Sequence, residues 1–332
     1  MHTRHLPFIA LSLALLLVSC AQKPESELVI YTYDSFVAEW GAAPGLAALF
    51  EKETGLKPTF VSKGDGGQLL QAVLLEKDKP GADIVLGLDN NTLAKALDSG
   101  LFKAYAPKGL EAIPAGIRLD GGNRLIPFDY GHFAIIWDSK TLPDPPSSLE
   151  DLTKPEYAKK LIIMDPRTST PGLGFLAWTK AVYGDAWKDY WKRLTPSILA
   201  MTPSWDTGYG LFTSGEAPLV LSYATSPAYH LENDKTDRYR ALEFSDGHPV
   251  QVEFAGILKG AKHPVNAERF MDFLVSAAAQ EVLPLTQYMY PANPGARLPE
   301  SFSLALKPAK TLGNVVLAGD EAAAAAEILA AK

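Results

Sequence analysis

The run Leu28-Val-Ile-Tyr-Thr-Tyr33 is almost unbroken in apolar side chains and reads as a buried strand. Apolar positions then recur at helical spacing over 45–54 and stop at Gly55, a residue suited to closing a helix. The alternation repeats as a strand over 57–62, a helix over 67–77, a strand over 82–88, and a helix over 91–99 closed by Gly100. Strands and helices in this rhythm predict an α/β lobe with a largely parallel sheet, whose ligand crevice lies at the carboxyl ends of the strands. The loops at those ends contain Tyr33-Asp34-Ser35, Gly64-Asp65-Gly66-Gly67 and Asp89-Asn90-Asn91.

Beyond Pro127 the pattern changes. A long strand-like run covers 128–137, and Pro143, Pro145 and Pro146 break the loop behind it. A second α/β unit follows, with strands over 161–164 and 219–223, a helix over 173–182 and an amphipathic stretch over 187–194. The alternation over 250–258 is placed to return the chain to the first lobe. Helical segments over 267–275 and 277–283 and an Ala-rich tail from Glu321 complete it. The fold class expected is therefore α/β with two lobes, residues 28–127 with 252–332 and residues 128–251, joined by two crossing strands around a cleft.

Length supports two lobes, since 332 residues exceed what one compact core usually serves. Residues 1–19 carry Arg4 and a Leu/Ala-rich core and read as a secretory signal. The sequence Leu17-Val18-Ser19-Cys20 resembles the lipobox of bacterial lipoproteins, which implies a lipid on Cys20, membrane attachment and a polar tether over 20–27. Cys20 is the one cysteine, so neither an internal disulfide nor a multi-cysteine metal site is available. The net charge of −7 and the lack of a basic run argue against a nucleic-acid partner.

Several runs recur in one order over about residues 28–310: Tyr31-Thr-Tyr-Asp-Ser-Phe36, Asp83-Ile-Val-Leu-Gly-Leu-Asp-Asn-Asn91, Pro127-Phe-Asp-Tyr-Gly131, Asp165-Pro-Arg-Thr-Ser-Thr-Pro-Gly-Leu-Gly174, Thr225-Ser-Pro-Ala-Tyr-His230 and Met289-Tyr-Pro291. Together they resemble the family of periplasmic thiamine-binding proteins of thiamine ABC importers. The resemblance implies a type II periplasmic-binding-protein fold that is monomeric, is not an enzyme and uses no cofactor. It also implies capture of thiamine, thiamine monophosphate or thiamine diphosphate in the cell envelope and delivery to a membrane permease.

Such a ligand offers a flat aminopyrimidine, a permanently cationic thiazolium and a hydroxyethyl arm that carries phosphate in the esters. Matching the family, Ser169 and Thr170 hold phosphate or the terminal hydroxyl at a helix start, where free N–H groups and the dipole favour negative charge. The Asp65-Gly66 loop faces the same region. Plain helix capping is the competing reading of the Ser169 turn. Trp205, Tyr223 and Tyr229 match the family's cleft aromatics, from loops or strand ends, with core packing as the competing reading. Tyr288 stands where the family typically has tryptophan. At the end of the first strand Tyr33 is a stacking candidate and Asp34 a candidate for the aminopyrimidine amine, although Asp34 also suits capping. Asp89 and Asp129 are secondary candidates whose alternatives are helix capping and hinge support. The alternative ligand is a ferric ion or another small cation, disfavoured by the five residues separating Tyr223 from Tyr229. No Gly-x-Ser-x-Gly elbow or His-Glu-x-x-His pair suggests a hydrolase.

Overall fold

The computed structural model describes residues 27–331. The signal segment, Cys20 and nearly all of the tether lie outside the described residues.

In chain order the strands are β1 (Glu27–Thr32), β2 (Lys57–Ser62), β3 (Ile84–Asp89), β4 (Phe102–Lys103), β5 (Ile126–Asp138), β6 (Leu161–Met164), β7 (Ile198–Thr202), β8 (Leu219–Tyr223), β9 (Tyr239–Ala241), β10 (His248–Leu258), β11 (Tyr290–Pro291) and β12 (Thr311–Leu312). The helices are α1 (Asp34–Val37), α2 (Ala42–Thr54), α3 (Gly66–Leu75), α4 (Leu93–Asp98), α5 (Thr170–Tyr183), α6 (Trp187–Leu194), α7 (Trp205–Thr213), α8 (Ser226–Asn233), α9 (Pro264–Leu274), α10 (Ala277–Gln280), α11 (Leu283–Thr286) and α12 (Glu321–Ala330).

The main sheet runs β2-β1-β3-β10-β5-β8-β6-β7. Its ends are parallel, β2 with β1 and β3 on one side and β7 with β6 and β8 on the other. Its middle is antiparallel, and there β5 does two jobs. Residues 126–132 pair with β10, whereas 133–137 pair with β8. One continuous strand thus carries the ladder from the first half of the sheet into the second, and β10 lies beside it at the crossing.

Each half has its own apolar interior. Leu28, Ile30, Phe36, Phe50, Ile84, Phe128, Phe270 and Phe273 belong to one cluster under the first half, and a second cluster around Leu69, Val85 and Phe254 covers its other face. Ile135, Ile162, Phe175, Trp178, Trp191, Leu219 and Phe244 form the interior of the second half. Separate interiors joined by two strands leave a groove between the halves.

Two expectations need correction. The tail was assigned with the first lobe, but Ala325 and Leu329 of α12 are buried in the second interior, and Lys180 Nζ of α5 holds Glu321 Oε1 at 2.6 Å. An Ala-rich helix carries few side chains that specify a partner, so its pattern does not reveal which face receives it. Trp205 and Tyr229 also lie on helices rather than in loops or strand ends. Ser204 caps α7 by accepting from Thr207 N, and Pro227 opens α8, while Gly208 and Gly210 hide α7 from a propensity reading.

Candidate functional site

The groove holds a cavity of about 370 Å³, within the range of small-molecule sites. Eight predicted residues line it: Tyr33, Asp34, Asp65, Thr170, Trp205, Tyr223, Tyr229 and Tyr288. Gly66 and Ser169 are absent from the wall and lie buried directly behind it.

Aromatic faces come mainly from the second half. Trp205 stacks on Tyr209 with centroids 4.9 Å apart, and its Nε1 donates to Ser222 Oγ at 2.8 Å. Tyr209 is held in turn through its hydroxyl, 2.9 Å from His230 Nε2, while His230 Nδ1 meets Asp234 Oδ2 at 2.7 Å. His230 therefore braces an aromatic wall and is not turned toward the cavity. Tyr223 stacks on Phe133 and donates its hydroxyl to Gln251 Oε1 at 3.1 Å.

The opposite rim belongs to the first half. Tyr288 has φ of +51°, a conformation uncommon for a bulky side chain and costly unless its surroundings enforce it. They do so across the groove: its ring meets Tyr229 edge to face at 5.3 Å, and its hydroxyl accepts from Asn233 Nδ2 at 2.7 Å. Asp34 is exposed at the start of α1 and accepts from the Ser62 hydroxyl. Capping and ligand contact are both open to it in this position. Asp89 is committed to its own turn, accepting from Thr92 N at 3.0 Å and Asn91 Nδ2 at 2.8 Å.

At one end, three helix starts converge on Asp65. Its Oδ1 accepts from Gly66 N at 2.6 Å and from Thr170 N at 3.2 Å, and its Oδ2 accepts from Trp205 N at 3.1 Å. The first N–H belongs to α3, the others to α5 and α7 of the second half. A Cβ on Gly66 would stand 2.0 Å from Thr170 Oγ1, so glycine is what allows α3 and α5 to approach so closely. Burial raises the Asp65 pKa, and the backbone donors oppose that rise. Ser169 precedes α5 yet caps nothing; its hydroxyl lies beside Asp65 without a hydrogen bond of ordinary geometry.

The floor holds a second set of acids. Glu253 of β10 pairs with Asp89 of β3 on one side and Asp129 of β5 on the other, placing three carboxyls in one row across adjacent strands. Glu253 lines the cavity and accepts from Tyr33 Oη at 2.8 Å and Gln251 Nε2 at 2.8 Å. Asp129 is completely buried, and neither of its carboxyl oxygens has a hydrogen-bond partner among the described residues. Burial pushes Glu253 up to about 8, with Asp89 and Asp65 adding to the rise. Burial and the Glu253 charge hold Asp129 well above the usual carboxylate range. This floor can balance a positive charge.

Glu253, Gln251, Gln287, Asn233 and Trp40 are lining residues that sequence reasoning did not select. A signal existed for two of them. Gln251 and Glu253 are polar at i and i+2 in an otherwise apolar strand, hence on one face.

Residues 79–312 match the profile of the bacterial extracellular solute-binding proteins. The chain belongs to that family. Among the solute-binding proteins it is 45% identical over 297 residues to a thiamine-binding periplasmic protein of Brucella abortus, covering 88% of this chain and 87% of the relative. It is 43% identical to a thiamine-binding periplasmic protein of Escherichia coli, with 86% of each chain covered. A solved structure of a periplasmic thiamin binding protein superposes with TM-score 0.81 at 40% identity, covering 92% of this chain and 94% of that one. The type II fold expected from the sequence is thus the fold found, and the family resemblance holds over nearly the whole described chain.

Proposed function

We propose that this protein captures thiamine, thiamine monophosphate or thiamine diphosphate outside the cytoplasmic membrane and delivers it to an ABC permease. One observation carries the reading: aromatic walls stand over an acidic floor in which Glu253 lines the cavity and Asp129, buried behind it, has no hydrogen-bond partner among the described residues. A flat ring with a permanent positive charge satisfies both surfaces. Rings beside a cation contribute roughly 0.5 to 2 kcal/mol each, more where water is excluded. In this arrangement Trp205 and Tyr223 supply faces, Tyr229 and Tyr288 close the rim, and Tyr33 orients Glu253 toward the charge. Asp34 is placed for the aminopyrimidine amine. The hydroxyethyl arm points to the end formed by Asp65, Gly66, Ser169 and Thr170. Similarity to thiamine-binding proteins at 45% and 43% identity supports the ligand class and a location in the periplasm.

Attachment through lipid on Cys20, a monomeric state and the absence of a catalytic role complete the proposal. Ferric ion is the weaker alternative. Among the described residues no group of three or more His, Cys, Asp or Glu is placed to hold a metal, and Tyr223 already commits its hydroxyl to Gln251. Calorimetric titration with thiamine, its two phosphate esters and ferric ion tests the proposal. Saturable heat with a thiamine form at micromolar concentration is expected; heat with iron alone would contradict it.

A further inference from the structure

We propose that Asn233 is a positioning residue of the cleft: it holds the hydroxyl of Tyr288 across the groove, and this bond is a latch that joins the two halves at the rim and slows the release of bound ligand. The inference rests on the thiamine reading above and deepens it. Asn233 closes α8 in the second half, where His230 of the same helix packs on Tyr239 of β9 with ring centroids 4.1 Å apart. Tyr288 follows α11 in the first half, where Leu283 is buried in the interior that holds Phe50 and Phe270. Asn233 Nδ2 donates to Tyr229 O at 3.1 Å and to Tyr288 Oη at 2.7 Å. The first bond ties the amide to its own helix and fixes which way it faces, and the second gives its other hydrogen to the opposite half. That partner has to be an acceptor, so tyrosine takes the bond, whereas phenylalanine or tryptophan in its place could not.

The backbone at Tyr288 is the independent sign that the contact is built. Tyr288 stands one residue past the end cap of α11 with φ of +51°, a place where helices usually carry glycine or asparagine. A bulky side chain there costs free energy and persists only where its surroundings fix it. Gln287 and Tyr288 both donate their N–H groups to Leu283 O, at 2.8 and 3.2 Å, so the turn is held from inside the first half. It carries the ring across to Tyr229, which it meets edge to face at 5.3 Å, and the hydroxyl to Asn233. Asn233 and Tyr288 both line the cavity. Ligand leaving the groove requires the halves to part, and parting breaks the Asn233–Tyr288 bond, so the bond weights the closed arrangement over the open one. Its effect falls on dissociation, since the contact forms only as the groove closes.

Stopped-flow release of thiamine from the full chain, Tyr288→Phe, Asn233→Ala and the double variant tests this, read by the fluorescence of Trp205 and Trp40 at the cavity wall. The phenylalanine variant keeps the ring and loses only the hydroxyl, and Asn233 is exposed, so neither change opens a hole in an interior. Each single substitution should speed release by about three- to tenfold, the range of one hydrogen bond, with the association rate nearly unchanged. The double variant should release no faster than the singles, because both remove the same bond. Release unchanged in Tyr288→Phe, or single effects that multiply in the double variant, would overturn the proposal. If the parent binds no thiamine form, the thiamine reading fails, and small-angle scattering of the ligand-free chain decides the latch by itself: a radius of gyration larger in both single variants than in the parent supports it, and equal radii overturn it.

Discussion

The two ends of the cavity use the same kind of residue in opposite ways. Asp65 is a carboxylate with three backbone N–H donors at helix starts, so the protein supplies its counter-charge. Asp129 and Glu253 sit together on the crossing strands, and Asp129 has no hydrogen-bond partner among the described residues. A satisfied acid is structural; an unsatisfied one is held at a cost that only a ligand or a proton offsets. On the proposed reading, the positive part of the ligand lies over the floor, and the other end is left to its hydroxyl or phosphate arm.

Removing the floor charge should have the largest effect. Glu253→Gln should weaken thiamine binding on the order of thirtyfold, about 2 kcal/mol, the lower end of what losing one partner of a buried charge pair costs. Its pH dependence carries the same information. In the unfolded chain this carboxyl titrates near 4.5, in the folded protein near 8, so between those values the folded state holds the extra proton. Stability should therefore fall as pH rises from about 4.5 toward 8 and level off above, and Glu253→Gln should flatten that slope in thermal melts. A cation over the floor reverses the balance by favouring the ionised form. Affinity should accordingly rise with pH through the same window, by at most about tenfold per pH unit for one proton released.

Loss of an aromatic wall comes next. Trp205→Ala should reduce affinity for thiamine and both esters by at least about tenfold, roughly 1.4 kcal/mol, because the face is common to all three. Equal affinities in parent and variant would place the ligand away from that wall. Ser169→Ala should do least. Ser169 makes no cap hydrogen bond, and its hydroxyl lies beside Asp65, which already has three backbone donors, so the ligand-free protein should melt within about a degree or two of the parent. A loss near 1 kcal/mol, the ordinary value of a helix cap, would show that the hydroxyl is engaged after all.

Much of the fold was legible because burial repeats along the chain. The strands at 57–62, 161–164 and 219–223 and the helix at 187–194 were read with the bounds they have. The strands at 161–164 and 219–223 are buried almost throughout and the helix at 187–194 is sharply two-faced, and such patterns survive in sequence; the strand at 57–62 is mostly half-exposed. β7 and α7 were missed, since Ile198-Leu-Ala-Met-Thr202 is bracketed by Pro196 and Pro203 and α7 carries two glycines. In the site, residues at strand ends and turns were found by position and by family likeness. Glu253 was not, because an acid inside an apolar strand acquires meaning only when the register sets it beside Asp129 and Asp89. The role of Asp65 was hidden for a similar reason: its donors at Thr170 and Trp205 are 105 and 140 positions away in the chain.

The most direct test of the central claim is a count of protons. Titrating the protein with thiamine at pH 7 in buffers of differing ionisation heat gives the number released per ligand bound. Saturable binding with a net release approaching one proton is expected in the parent, and the release should be lost in Glu253→Gln. Saturable binding with no proton release in the parent, or the same release in the variant, would contradict a charge held over the Glu253–Asp129 floor.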